Sequence, residues 1–193
     1  GHNDLAYQLW QRGDEDGTAF LDPAEDKLHI TSHKAAAGGL AGGLFALFVP
    51  QHAGSLEDTA CVDEAYALTT ALQMADGLHR LADARPDKFR LCTTAAGLDE
   101  ATEAGALAGI LHLEGAEPVG DGLAGLEPLY QRGVRSIGPL WSRPNRFGVG
   151  VPFSFPGRPD QGSGLTAAGK ALINACDEMN ILLDVSHLNE AGF

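Results

Sequence analysis

Apolar positions along the chain fall into two alternating regimes. Leu44-Phe45-Ala46-Leu47-Phe48-Val49 is a continuous apolar run closed by Pro50. Such a run predicts a strand buried on both faces, the type found in parallel sheets. Gly109 to Gly115, Val134 to Trp141 and Ile181 to His187 predict three further strands, and Phe89 to Thr93 a short one. Between them the period lengthens to that of a helix. Leu68, Leu72, Ala75, Leu78 and Leu81 form an apolar stripe in a helix expected from about Leu56 to Ala84, ended by Pro86. Leu123, Leu126, Leu129 and Tyr130 mark another, stopped at Gly133. Thr166 is placed to cap a helix running through Ala168, Leu172, Ile173, Cys176 and Met179 to Asn180. Thr31 or Ser32 caps a short helix ending at Gly38-Gly39, and Asp99 is expected to cap a small one. Gln11 to Lys27 and Ser142 to Gly164 read as long loops.

Strand and helix alternate throughout, which argues a parallel α/β fold. Gly38, Gly39, Gly42 and Gly43 precede their strand and no Gly-Lys-Ser/Thr follows, so they do not make a phosphate cradle. An open doubly wound sheet lacks its usual glycine fingerprint here, so a (β/α)8 TIM barrel is the expected architecture. A typical barrel needs about 250 residues. The 193 residues are therefore expected to be the N-terminal part of a single barrel, holding about its first five strands, with no second domain. The closing strands are expected beyond Phe193, and a half barrel with open edges is not expected to fold stably alone.

Composition narrows the function. The chain is 44% hydrophobic and 20% charged, ordinary for a globular domain. Its net charge is −13, and Lys and Arg are scattered, so a nucleic-acid backbone would be repelled. No apolar run reaches the ~18 residues needed to span a bilayer. Cys61, Cys92 and Cys176 are widely spaced and odd in number, which predicts three separate buried thiols rather than a disulfide framework. Unpaired thiols tilt the expected compartment toward the cytoplasm.

The candidate chemistry collects where strands give way to loops. His2 and Asp4 are two apart, so on an extended segment both side chains point one way. An imidazole nitrogen and a carboxylate oxygen converging there make half a metal site. About one such pair is expected by chance in a chain with 26 acidic residues and seven histidines, and a second stands at His112-Leu113-Glu114. Glu114 ends an apolar strand, where an unpaired carboxylate costs several kcal/mol. It calls for a cation unless the strand has already reached solvent. His187 closes another apolar run. His112 shares a strand face with Glu114, as a donor to it or as a packed inner-barrel histidine. Asp184 can orient a neighbour. Ser186 beside His187 is no nucleophile pair, because adjacent strand residues face opposite sides. His29, His33 and His52 read as surface residues, and His79 as a surface or edge one.

Gly-His-Asn-Asp-Leu at the start, Leu-Glu-Gly at Leu113 to Gly115 and Asp-Val-Ser-His at Asp184 to His187 resemble the membrane (renal) dipeptidase family of zinc peptidases. Leu129 to Arg135 and Gly164 to Lys170 extend the likeness, which is collinear over the whole chain. The resemblance implies a (β/α)8 barrel holding two zinc ions. It implies that His2 and Asp4 bind the first metal, Glu114 bridges both as the central catalytic carboxylate, and His187 binds the second. A hydroxide bridging the ions would attack the peptide bond. The family's second histidine for the second metal, its substrate-carboxylate arginine and its proton-transfer aspartate are expected after Phe193. Renal-type members carry a histidine near the end of the strand Val134 to Trp141, where this chain has Trp141. Arg143 or Asn145 could replace that contact, with Trp141 walling the pocket.

The expected function is therefore hydrolysis of dipeptides, with a C-terminal D-residue tolerated, by a binuclear zinc dipeptidase. The expected partners are a dipeptide or related small amide, with self-association into a homodimer left open. Two alternatives stand beside it: the same scaffold acting on another amide or lactam, and a non-catalytic barrel with a degenerate metal site that binds a small ligand or a protein.

Overall fold

In the computed structural model the residues described are 1–51, 61–152 and 155–193. The start of the expected helix at Leu56, and His52, lie outside them. The elements are strand β1 (His2–Asn3), helices α1 (Leu5–Gln11), α2 (Thr18–Leu21) and α3 (Ser32–Gly38), and strand β2 (Gly42–Phe48). Helix α4 (Glu64–Ala84), strand β3 (Phe89–Leu91), helix α5 (Ala95–Glu103) and strand β4 (Leu107–Glu114) follow. After two short 3-10 turns (Glu117–Val119 and Asp121–Leu123) come helix α6 (Leu126–Gln131), strand β5 (Val134–Gly138), helix α7 (Ala167–Glu178) and strand β6 (Leu182–Leu183).

The strands form one sheet in the order β1-β2-β4-β5-β6, with β3 also paired to β4. The β1–β2, β3–β4 and β5–β6 pairs are parallel, in the registers His2↔Leu44, Phe89↔Leu107 and Ser136↔Leu182. Apart from β3, the strands follow one another in sequence order with helices between, as in the first part of a (β/α)8 barrel. No helix among the described residues is long and apolar enough to cross a membrane.

Two compact units are distinguished. The first comprises Gly1–Leu47, Leu72–His112 and Arg132–Val134; the second comprises Phe48–Ala71, Leu113–Gln131 and Arg135–Phe193. The core of the first is aromatic. Phe89 stands edge-on to Phe20 and to Phe45, with ring centroids 5.9 and 5.0 Å away, and all three are fully buried. His79 holds α4 to the chain after α6 through a 2.7 Å bond to the Arg132 carbonyl. The glycines at the start of β2 serve close packing: a Cβ on Gly42 would lie 2.8 Å from the Ala108 carbonyl oxygen. In the second unit, α7 packs on β6, with Leu172 and Cys176 buried.

The caps show why several elements start where they do. Thr31 accepts from Lys34 N to open α3, and Gly39, in the left-handed region at φ 68°, closes it. Thr166 accepts from Gly169 N to open α7, which ends at Glu178, and Asn180 just beyond it is also left-handed at φ 55°.

The structure corrects four expectations. The cap of α5 is Thr94, which accepts from Gly97 N, and Asp99 lies inside the helix. The stretch Gln11 to Lys27 is not all loop. The Asp14 carboxylate accepts from Thr18 N and Ala19 N, opening α2 so that Phe20 is fully buried. Helix α4 begins at Glu64, with Asp63 accepting from Tyr66 N just before it. Cys92 and Cys176 are buried free thiols, but Cys61 is exposed.

Candidate metal centre

In the first unit, β1 lies beside β2 through Leu44 N donating to the Gly1 carbonyl at 2.7 Å. The Asn3 amide donates to the Leu44 carbonyl at 3.2 Å, and Asn3 Oδ1 accepts from Leu5 N. That turn starts α1 directly after Asp4, and Leu5, Ala6 and Leu9 seat its inner face. His2 on the strand and Asp4 at the head of the helix thereby stay together, Nε2 to Oδ1 3.8 Å, both substantially exposed. The His2 ring meets the buried His112 ring edge-on at 5.5 Å. His112 is thus buried on β4, on the strand side that faces His2.

In the second unit, Glu114 ends β4. Gly115 N and Ala116 N, just beyond it, donate to the carbonyls of Gly138 and Pro139 and hold this strand end against β5. The Glu114 carboxylate is 12% exposed, and its Oε1 lies 3.3 Å from His187 Nε2. Two ligands on one tetrahedral zinc, each at about 2.0–2.1 Å, stand roughly 3.3 Å apart. The separation of this imidazole and carboxylate fits a shared ion, and that of His2 and Asp4 is a few tenths of an ångström wider.

His187 is not the end of a long strand, as the sequence suggested. Strand β6 stops at Leu183, and the Asp184 carboxylate turns the chain by accepting from Ser186 N at 2.9 Å. His187 itself sits in the left-handed region at φ 66°. For a residue with a Cβ this costs about 1–2 kcal/mol, so the surroundings must impose it. They do so from the loop after β5. Ser142 Oγ is 2.9 Å from His187 Nδ1, and Val151 N donates to the His187 carbonyl at 2.8 Å. A Cβ on Gly150 would collide with the Trp141 carbonyl, so the loop closes on His187 only with glycine there.

Trp141 likewise lies past its strand, because Pro139 has no N–H with which to continue β5. Its ring is 6% exposed, packs on Phe48 at 4.8 Å and stands 6.1 Å from the His187 ring. Arg143 is 2% exposed, with Nε donating to Glu117 Oε1 at 2.6 Å and Nη2 to the Val49 carbonyl at 2.7 Å. Asn145 donates to the Pro139 carbonyl and accepts from Phe147 N. Both side chains are thus engaged in building the loop. Sequence reasoning missed Ser142 and Glu117. Arg143 carried the signal for Glu117, since a guanidinium among apolar residues needs a buried carboxylate. Nothing local pointed to Ser142.

The membrane dipeptidase family, peptidase family M19, matches over residues 1–193. An uncharacterized protein encoded in the PQQ-III 3′ region of Acinetobacter calcoaceticus is 36% identical over 205 residues, covering all of this chain and 64% of its own length. Among solved structures, the dipeptidase AC, a metallo peptidase of family M19, is 41% identical with a TM-score of 0.90, and all of this chain covers 56% of it. A metallo peptidase from Rhodobacter sphaeroides, liganded with a phosphinate mimic of the dipeptide L-Ala-D-Ala, is 37% identical with a TM-score of 0.87. In that pair, 99% of this chain covers 58% of the other. The chain spans under two thirds of the length of these relatives. It belongs to the membrane dipeptidase family of metallo peptidases.

Proposed function

We propose that the protein to which this chain belongs is a binuclear zinc dipeptidase, acting on dipeptides that include ones with a C-terminal D-residue. The observation that carries the reading is the donor set. An imidazole nitrogen and a carboxylate oxygen stand 3.3 Å apart at His187 and Glu114, and a second such pair stands 3.8 Å apart at His2 and Asp4.

In this reading His2 and Asp4 would hold the first ion, Glu114 would serve both, and His187 would hold the second. When bound, the ions supply a polarised substrate carbonyl and a water of lowered pKa at the same centre. The chain's own contribution is placement. Glu114 offers negative charge between two sites that would otherwise repel, and neutral imidazoles complete each set without adding charge. Trp141 excludes water beside His187 and gives the pocket an apolar wall. The ligand of the Rhodobacter relative, a mimic of L-Ala-D-Ala, suggests that dipeptide as the first substrate to try.

The test is metal content per polypeptide on the natural full-length protein, measured by plasma mass spectrometry beside hydrolysis of L-Ala-D-Ala and L-Ala-L-Ala. Two zinc ions per chain, with activity removed by a chelator and restored by zinc, is the expected result. Metal content near zero that persists after zinc is added back refutes the proposal.

A further inference from the structure

We propose that Ser142 is a positioning residue for the metal centre: its Oγ accepts the Nδ1 proton of His187 and so presents Nε2 as the ligating nitrogen beside Glu114. The inference rests on the binuclear reading above and deepens it. A neutral imidazole carries one ring proton, and only the nitrogen without it can bind a cation. Ser142 Oγ is 2.9 Å from Nδ1, while Nε2 points to the Glu114 carboxylate at 3.3 Å. The two ring nitrogens therefore have different neighbours, and the serine can fix which one keeps the proton.

The surroundings make this a built contact. Ser142 is 5% exposed and stands between Trp141 and Arg143, which are also buried. The same loop grips the His187 backbone nine residues later, where Val151 N donates to its carbonyl. One segment thus sets both the main-chain position of His187, at φ 66°, and the rotation of its ring. The ring has no freedom to turn about without breaking the serine contact.

The experiment uses the natural full-length protein and its Ser142→Ala and Ser142→Thr variants, stripped of metal and titrated with zinc against a chromophoric chelator. The wild type is expected to take up two ions in two steps. Ser142→Ala should keep the first step and weaken the second by about 10–100-fold, the usual effect of losing an outer hydrogen bond to a ligating histidine. Threonine, which keeps the hydroxyl, should restore it. Ser142→Cys, with a weak acceptor and similar size, replaces alanine if that variant does not fold. Two equal wild-type and alanine titrations would overturn the role of Ser142 while leaving the binuclear reading intact. A wild type that binds no zinc would overturn that reading and this inference with it. Equal weakening of both steps, unrelieved by threonine, would mark Ser142 as merely structural and also overturn the inference.

Discussion

Arg143 and Glu117 form a salt bridge at 2.6 Å with side chains 1% and 3% exposed, and its removal has a calculable consequence. Arg143→Met deletes the guanidinium but keeps most of the volume. Glu117 is then a carboxylate in an apolar setting, and its Oε2 already has no hydrogen-bond partner. Breaking a buried pair from one side costs about 3–5 kcal/mol. The Val49 carbonyl also loses its donor, at about 1–3 kcal/mol as a buried acceptor left unbonded. The packing of the guanidinium by the Trp141 and Phe48 rings, at 5.3 and 5.4 Å, is partly kept by the methionine thioether. Glu117→Leu alone leaves the arginine unpaired and should cost a similar 3–5 kcal/mol. The double variant removes both charges and should fall to about 1–3 kcal/mol, the residue of the Val49 carbonyl. Urea unfolding of the four proteins of this cycle, on the natural full-length chain, gives the coupling directly. A coupling below about 1 kcal/mol would refute the reasoning, because two buried charges that depend on each other cannot be lost independently.

Further outcomes follow from single groups. With a colourless-to-yellow disulfide reagent at pH 8, Cys61 should react at once in the native protein. Cys92 and Cys176 should not, since both are buried and desolvation pushes the Cys176 thiol up to about 11. Two fast thiols in a folded Cys61→Ser variant would contradict this. Thr166→Ala removes the acceptor for Gly169 N and the hydroxyl bond to the Arg146 carbonyl, and should cost about 1–2 kcal/mol in urea unfolding, with serine close to neutral. Asp87, hydrogen-bonded by the Arg85 guanidinium, is held down at about 2. A depressed carboxylate stabilises above its ordinary range and loses that contribution as pH falls through about 2. Carboxyl NMR should therefore find Asp87 titrating near there in the wild type and close to its ordinary value in Arg85→Ala.

The two kinds of information in the chain were legible to different degrees, and the reason is range. Apolar runs located β2, β4 and β5, because burial on both faces is written residue by residue. Thr31 and Thr166 were legible as caps because the N–H each one binds lies three residues ahead. Errors came where two local signals compete. Asp99 and Thr94 are both good caps, and the helix takes the threonine because its hydroxyl reaches Gly97 N at 3.1 Å. Asp14 was overlooked because an acidic, glycine-rich stretch reads as loop, although Ala19-Phe20-Leu21 within it had to be buried somewhere. Strand ends were overrun at Trp141 and His187, because apolarity continues past the point where Pro139 and the Asp184 turn stop the ladder.

Within the candidate site, the ligand types were legible and their supports were not. Glu114 and His187 stand out because a carboxylate or an imidazole closing an apolar stretch demands a partner, and His2 and Asp4 because two ligand types two apart on an extended segment share a face. Glu117 and Arg143 satisfy the same demand, but 26 residues apart, with no strand period to link them. Ser142 and His187 are 45 apart, and a serine in a polar loop costs nothing when exposed, so its sequence gives no sign of constraint. What picks it out is the backbone. A histidine in the left-handed region must be held there, and the nearest chain able to hold it is the loop whose Val151 bonds its carbonyl. Ser142 lies on that loop, and its hydroxyl is the group that reaches the ring. In this part of the molecule, the strain at one residue points to the neighbour that gives it its chemistry.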